Sequence, residues 1–104
     1  MKLIISSTFE NWLLNLRDPL GKKLILARLS RIKNCIEGDF KQLKGLDLAI
    51  FEYRIHCHAG YRLYAYKRGQ EVIIMLCAGS KSSQTKDILN AEKIAKEYLN
   101  GGNI

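Results

Sequence analysis

An uninterrupted apolar run in the second half of the chain predicts the strand around which the rest is arranged. Residues 72–77 are all apolar and lie between Gly69 and Gly79. A run of this length without alternation is typical of a strand that is buried on both faces. The aromatic-rich segment 61–67 precedes it. The turn at residues 67–70 predicts that the two segments pair as an antiparallel hairpin.

Alternating patterns separate the two faces of the neighbouring strands. In segment 61–67 a period of two places one set of residues opposite the other. The two sets are Arg62, Tyr64 and Tyr66 on one face, and Tyr61, Leu63 and Ala65 on the other. A further strand is predicted over residues 48–57, where Phe51, Tyr53 and Ile55 alternate with Glu52, Arg54 and His56. A sheet face that carries cations and hydroxyl groups is either a working surface or a solvated one.

A short strand and two amphipathic helices are predicted for the N-terminal third. Residues 2–6 form the strand, and Thr8 is the predicted N-cap of the first helix. Asp18 followed by Pro19 is a start signal for the second helix, which Gly38 is expected to end. Apolar residues at helical spacing predict a core-facing stripe on each helix. The stripes are Phe9, Trp12, Leu13 and Leu16 in the first helix, and Ile25, Leu29, Ile32 and Ile36 in the second.

A third amphipathic helix is predicted to close the chain. Ser82, Ser83 and Thr85 are alternative N-caps, and residues 100–102 end the helix. Its apolar stripe is Ile88, Ala91, Ile94, Ala95 and Tyr98. Segment 37–47 is predicted as a connecting loop. This order of elements predicts one α+β domain over residues 1–104, with helices segregated against a mainly antiparallel sheet.

The charge balance favours a polyanionic partner, because 17 Lys and Arg against 10 Asp and Glu give a formal charge of +7. The 3 cysteines have no CxxC spacing, which indicates a reducing, intracellular setting. No apolar stretch approaches the length of about 18 residues that spans a membrane. The start of the chain is too short an apolar run for a signal peptide. We therefore expect a cytoplasmic protein without membrane contact.

The candidate functional residues lie on three successive predicted strands or at their ends. Pairing of these strands would bring Arg54, Arg62 and Lys81 to one surface. Three unpartnered cations repel one another, so an anionic ligand explains them better than stability does. The alternative is that Glu52 and Asp87 neutralise them in surface ion pairs, which contribute about 0–1 kcal/mol each.

Two further side chains are candidates for proton transfer or ligand contact. His56 is predicted on the same face as Arg54 and is a candidate for proton transfer, because an unperturbed imidazole titrates near neutral pH. Tyr64 can donate a hydrogen bond to a phosphate or stack on a base. His56, Cys57 and His58 are consecutive and alternate between faces, so no metal site and no cofactor are expected.

The residues named above resemble the RelE/ParE superfamily of bacterial toxins, most closely its phage-derived, HigB-like branch. The two most specific pieces are GYRxY at residues 60–64 and GxKSSQxxDI at residues 79–88. The likeness extends over nearly the whole chain, through residues that include Phe9, Trp12, Leu13, Leu16, Asp18, Arg28, Leu29, Arg31, Gly38, Asp39, Lys41, Glu52 and Arg54.

The resemblance implies a single toxin domain, with two N-terminal helices beside a twisted antiparallel sheet. It implies neutralisation by an antitoxin from the adjacent gene, expected to be a small helix-turn-helix protein in a toxin–antitoxin hetero-oligomer. RelE-like members bind the ribosome and cleave mRNA by attack of a 2′-hydroxyl on the adjacent phosphate.

By position, Arg62 is similar to the phosphate-holding arginine of the family, Arg54 falls on the strand that carries catalytic lysines, and Lys81 follows the last strand. The residues after Lys81 lack the tyrosine or histidine that related nucleases place there. The alternatives are that His56 or Tyr64 serves instead, or that turnover depends on the cations alone. The residues expected to contact RNA or the ribosome are Arg28, Arg31, Lys33, Lys41, Lys44, Lys67, Arg68 and Lys86.

For several of these residues there is also a simpler interpretation that involves no ligand. Lysines and arginines of the second helix are also typical of a solvated helix face, and Lys41 and Lys44 of a plain surface loop. At the level of function, the alternatives are a ParE-like toxin that poisons DNA gyrase without nuclease activity, and a decayed module that only binds nucleic acid.

Overall fold

A five-stranded sheet with helices on both faces forms the part of the chain that the computed structural model describes, residues 1–101. The strands are β1 (Lys2–Ile5), β2 (Phe40–Gln42), β3 (Ile50–Arg54), β4 (Arg62–Arg68) and β5 (Val72–Gly79). The helices are α1 (Ser7–Leu14), α2 (Pro19–Lys33) and α3 (Gln84–Leu99), and a 3₁₀ turn spans Lys81–Ser83.

The order of strands across the sheet is β1-β5-β4-β3-β2. Strands β2 to β5 pair with their neighbours in antiparallel fashion, while β1 pairs with β5 in parallel. The predicted class, an α+β domain with a mainly antiparallel sheet, two N-terminal helices and a C-terminal helix, is confirmed.

Two hydrophobic cores lie on opposite faces of the sheet. Helices α1 and α2 cover one face, where Phe9 and Ile25 pack against Met75. Helix α3 covers the other face, where Ala91 packs among residues that include Tyr64 and Leu76. Strand β5 therefore has a core on each side, which confirms the prediction from its unbroken apolar run. The face that carries Tyr64 was expected to be a working or a solvated surface. This is wrong at Tyr64, which α3 covers, whereas Arg62 at the end of the same face stays partly exposed.

The starts of the two N-terminal helices agree with the sequence in one case and differ in the other. The Asp18 carboxylate accepts a hydrogen bond from the Gly21 amide at 3.0 Å, so the predicted cap of α2 is confirmed. Helix α1 is capped by Ser6, whose hydroxyl oxygen accepts from the Phe9 amide at 3.0 Å and donates to the Leu76 carbonyl at 2.6 Å. Thr8 was the predicted cap and is wrong, because the tie to β5 holds Ser6 in place.

The region after α2 differs most from the prediction. The helix ends at Lys33, and Cys35 has a φ of +66°, so Gly38 does not end the helix. Ile36 lies beyond the helix and is 58% exposed, so it does not continue the buried stripe. Segment 37–47 was predicted as a loop, but it contains β2, which pairs with β3. A three-residue edge strand has no alternation long enough to read from sequence.

The start of α3 is fixed by packing rather than by a side-chain cap. Ser83 is at the N-cap position without capping the helix, and its hydroxyl donates to the Asp87 carboxylate at 2.5 Å. Of the three alternative caps, Ser83 is at the expected position but makes no capping hydrogen bond, and Ser82 and Thr85 are wrong. A Cβ at Gly79 would lie 1.9 Å from the Asp87 carboxylate, so only glycine leaves room for this helix start. The predicted stripe of α3 is confirmed, whereas Gly102 lies outside the described residues.

None of the helices within residues 1–101 is long and apolar enough to cross a membrane.

Asp18 makes the stability of the domain depend on pH. Its carboxylate accepts from the Gly21 amide and, at 2.7 Å, from the Tyr61 hydroxyl, and these bonds in that order hold the pKa of Asp18 below its ordinary value of 3.8. A depressed pKa stabilises the folded state at pH values above the unfolded pKa, and this contribution is lost as the pH falls through the folded pKa.

We expect Asp18→Asn to unfold at a lower urea concentration than the wild type at pH 7. The difference between the two urea midpoints should become smaller below about pH 4. Urea denaturation followed by circular dichroism at pH 7 and pH 3 measures both differences. Asp47→Asn removes the same charge from an exposed site and is the control. If the difference in urea midpoint between Asp18→Asn and the wild type were the same at both pH values, the charged Asp18 carboxylate would not be the source of the stability.

Candidate functional site

A pocket of about 220 Å³ opens where β3 and β4 meet the turn between them and the segment after β5. Cationic, polar and apolar side chains share its wall. The lining residues are Arg54, Ile55, His56, Cys57, Gly60, Tyr61, Arg62 and Lys81.

The pairing of three strands places the cations of this pocket together. Arg54 of β3 is directly opposite Arg62 of β4, and Arg62 in turn is opposite Gly79 at the end of β5. Lys81 follows two residues later. Its side chain crosses Gly60, where an added Cβ would lie 3.1 Å from the lysine Cδ. The predicted convergence of Arg54, Arg62 and Lys81 is thus confirmed.

Glu52 lies beneath the two arginines and is fully buried. One oxygen of its carboxylate accepts from Arg54 Nε at 3.0 Å and from Arg62 Nη1 at 3.2 Å. The other oxygen accepts from Gln84 Nε2 at 2.8 Å. The expectation of three unpartnered cations is therefore wrong for the arginines, because the alternation that points them to one side brings Glu52 to the same side.

The alternative of surface ion pairs is only partly correct. Glu52 does partner the arginines, but as a buried group. Asp87 bonds to Ser83, and no ion pair of Asp87 is present among residues 1–101. Like charges opposite each other on adjacent strands destabilise a sheet, so Glu52 both offsets this repulsion and orients the two guanidinium groups.

The arginines keep most of their hydrogen-bonding capacity for a ligand. A guanidinium carries five N–H groups, and Glu52 uses one from each arginine. The side chain of Arg54 remains 37% exposed and that of Arg62 remains 20% exposed. With Lys81 added, three cations face one carboxylate, so the pocket favours an anion that accepts several hydrogen bonds.

His56 stands on the rim of the pocket. It follows the end of β3 and is exposed, and its Nε2 lies 2.5 Å from the carboxylate of Asp39. A carboxylate in this position orients the imidazole ring. His56 thus lines the pocket together with Arg54, while its role in proton transfer stays a prediction. His58, in the following turn, is exposed as expected.

Tyr64 is not at the pocket surface. It is fully buried beneath α3, and its hydroxyl has no hydrogen-bond partner among the described residues. Burial, followed by the charge of Glu52, raises its pKa above the ordinary range of a tyrosine. The expectation that Tyr64 contacts a phosphate or stacks on a base is wrong for this structure, because its face of the sheet is covered.

Two of the cations expected to contact RNA, Arg28 and Lys67, are not free at the surface. Arg28 was interpreted as part of a solvated face, but it is only 8% exposed and lines a second pocket with Arg31. Lys67 pairs with Glu37 and lies over the rings of Phe40 and Phe51, at 4.7 and 4.6 Å from their centroids. It therefore already has partners within the domain. The exposed members of the set are Arg31, Lys33, Lys41, Lys44, Arg68 and Lys86.

Gln84 and the apolar wall of the pocket were not predicted. Gln84 lies within the KSSQ sequence, but only the packing of α3 on the sheet shows that it reaches Glu52. Tyr61 supplies the wall opposite the arginines. Burial, then its bond to Asp18, raises the pKa of Tyr61 to about 12. Among residues 1–101, no cluster of three or more His, Cys, Asp and Glu side chains is placed to hold a metal ion.

The fold and the site together define a class: a small α+β domain with a cationic pocket at one end of its sheet. No family model matches the chain. A protein of Haemophilus influenzae described as uncharacterized is 39% identical to it over 90 residues, which cover 86% of this chain and 88% of that protein. The chain belongs to the same family as this Haemophilus protein.

Proposed function

We propose that the chain is the toxin of a type II toxin–antitoxin module, a RelE-like endoribonuclease that cleaves mRNA on the ribosome. The observation that supports this proposal is the pocket in which Arg54, Arg62 and Lys81 converge. Three cations with free N–H groups around a small cavity match a phosphodiester in charge and in hydrogen bonding. The type of reaction is proposed from the resemblance of the GYRxY and GxKSSQxxDI segments to the RelE/ParE superfamily.

In the proposed reaction, the 2′-hydroxyl of one nucleotide attacks the adjacent phosphorus, and the bond from phosphorus to the 5′ oxygen breaks. The products are a 2′,3′-cyclic phosphate and a 5′-hydroxyl end. His56, held by Asp39, accepts the proton of the 2′-hydroxyl, and the leaving oxygen takes a proton from water. Arg54, Arg62 and Lys81 donate hydrogen bonds to the phosphoryl oxygens, on which charge develops.

The same proposal names the partners and the compartment. The ribosome and mRNA are the targets, so the protein acts in the cytoplasm. A cognate antitoxin, a small helix-turn-helix protein from the adjacent gene, neutralises it in a hetero-oligomer. The positive charge of the pocket and the net charge of +7 support anionic partners.

One observation favours a second candidate, a ParE-like toxin that poisons DNA gyrase. Glu52 supplies an internal partner for Arg54 and Arg62, so these arginines also have a structural use that needs no RNA. Tyr64, a candidate for the chemistry, is buried. A gyrase poison would need the fold and not the phosphate pocket.

Pulse labelling in bacteria separates these candidates. After induction of the chain, we expect incorporation of labelled methionine to fall before incorporation of labelled thymidine, because a ribosomal nuclease stops translation first. The same vector with an early stop codon is the control. Filamentation and DNA damage that precede any loss of protein synthesis would contradict the nuclease and support gyrase as the target.

A further inference from the structure

A second pocket, of about 180 Å³, lies beside the first. It is lined by Leu24, Arg28, Arg31, Ile55 and His56. Ile55 and His56 also line the first pocket, so the two cavities adjoin across a wall that is two residues wide. Each is several times larger than the roughly 30 Å³ that one water molecule occupies in the liquid.

Arg28 is buried in this second pocket with fewer partners than its charge requires. It is 8% exposed, and its Nη1 donates to the Asp39 carbonyl at 3.3 Å. Its Nε has no hydrogen-bond partner among the described residues. Burial, followed by the nearby charge of Arg31, lowers its pKa. The charge of Asp39 acts in the opposite direction, but no carboxylate forms an ion pair with Arg28 among the described residues. A buried cation whose main hydrogen-bond partner is one backbone carbonyl is costly to the folded state.

The backbone is shaped to accept this arginine. Gly38 has a φ of +73°, and an added Cβ there would lie 3.0 Å from Cζ of Arg28. The loop after α2 thus closes directly against the guanidinium plane. Arg31, one turn further along α2, is exposed and lines the same cavity. One arginine is therefore packed against the backbone, while the other is exposed at the mouth of the cavity.

Taken together, the two cavities carry an excess of positive charge. Among the described residues, five cations line them, and three carboxylates bond to their lining residues. The cations are Arg28, Arg31, Arg54, Arg62 and Lys81. The carboxylates are Glu52 under the arginines, Asp39 beside His56 and Asp18 behind Tyr61. The surplus is spread over both cavities rather than concentrated in one.

We propose that the second pocket binds the phosphate next to the one held in the first, so that the ligand is a single-stranded polynucleotide with two successive phosphates. Arg28 and Arg31 hold that phosphate, and the apolar side chains of Leu24 and Ile55 contact the ribose. This inference rests on the proposed function and makes it more specific. In this arrangement, the bond to be cleaved lies at the boundary between the two phosphate sites, where His56 is located.

Short 2′-O-methyl oligoribonucleotides test the inference, because they lack the attacking hydroxyl and are not cleaved. A dinucleotide carries one phosphodiester and a trinucleotide carries two. We expect the trinucleotide to bind the wild type more tightly, with a salt dependence steeper by about 0.7 in the slope of log K against log salt. Fluorescence anisotropy of labelled probes at several salt concentrations measures both quantities.

Arg31→Gln is the informative variant because Arg31 is exposed and its replacement leaves the core intact. It should bring the trinucleotide to the affinity and slope of the dinucleotide, and leave the dinucleotide unchanged. Lys93→Gln, at an exposed position of α3 and outside both pockets, is the control and should leave both probes unchanged. Arg54→Gln should weaken both probes.

Three results would overturn the inference. They are equal binding of the two probes by the wild type, equal weakening by Arg31→Gln and Lys93→Gln, and no binding of either probe. The proposed function has a separate readout, because arrest of protein synthesis in the pulse-labelling experiment would persist if only the second phosphate site were wrong. Conversely, length-dependent binding without arrest would keep the RNA site and reject the toxin activity.

Discussion

Replacement of Arg62 with alanine is expected to abolish growth arrest while the domain stays folded. Arg62 is less exposed than Arg54, the other arginine of the first pocket, and the Glu52 carboxylate orients it toward the cavity. In the proposed reaction it stabilises charge that develops on the phosphate. Loss of one such preorganised donor lowers a rate by about a hundredfold or more. Growth curves after induction, with circular dichroism of the purified variant, measure activity and fold separately.

The fold should survive this change because Glu52 keeps Arg54 and Gln84 as partners. Lys93→Ala is the control: it removes the same charge from an exposed position of α3 that lines neither pocket. Growth arrest by a folded Arg62→Ala variant, or equal loss of arrest in both variants, would refute a specific role for Arg62.

Replacement of Glu52 with alanine is expected to destabilise the domain by about 3 kcal/mol, at the lower end of the range for breaking a buried ion pair. The lower end applies because both arginines are partly exposed and can reach water. Three donors lose their acceptor, and two cations remain opposite each other on adjacent strands. For a domain of this size the midpoint of thermal unfolding should fall by roughly 10–20 °C.

Glu52→Gln separates the contribution of the charge of this side chain from the contribution of its shape. It keeps the volume and one acceptor oxygen, so a smaller loss of about 1–2 kcal/mol is expected. Glu71→Ala, at an exposed position, should change stability by less than about 0.5 kcal/mol. Urea denaturation of the three variants measures these differences. If Glu52→Ala were as stable as Glu71→Ala, the carboxylate would not hold the arginines together.

Local patterns were sufficient for most of the fold. Runs with a period of two or of 3.6 state directly which residues share a face, so the strands on either side of the hairpin and the stripe of α3 were predicted from sequence. The start of α2 at Asp18 and Pro19 was also predicted, because a cap acts within one turn of helix. The convergence of Arg54, Arg62 and Lys81 followed from the predicted order of strand pairing.

Features that depend on contacts between distant segments were missed. The Ser6 cap of α1 is reinforced by a carbonyl 70 residues away, and β2 exists only because β3 offers it an edge. Tyr64 was expected at a surface, and Arg28 on a solvated helix face. Both are buried because other elements cover them, α3 in one case and the loop at Gly38 in the other.

By itself, the sequence determined the class of the domain, the faces of its strands and helices, and the cations that meet at one end of the sheet, because each of these follows from spacing along the chain. Tertiary structure decided that Glu52 is a buried acceptor between two arginines, that Gln84 joins it, and that Arg28 and Arg31 line a second cavity next to the first. The physical reason is that burial and electrostatic partnership depend on which element covers which face, and that choice is made by packing between segments far apart in sequence.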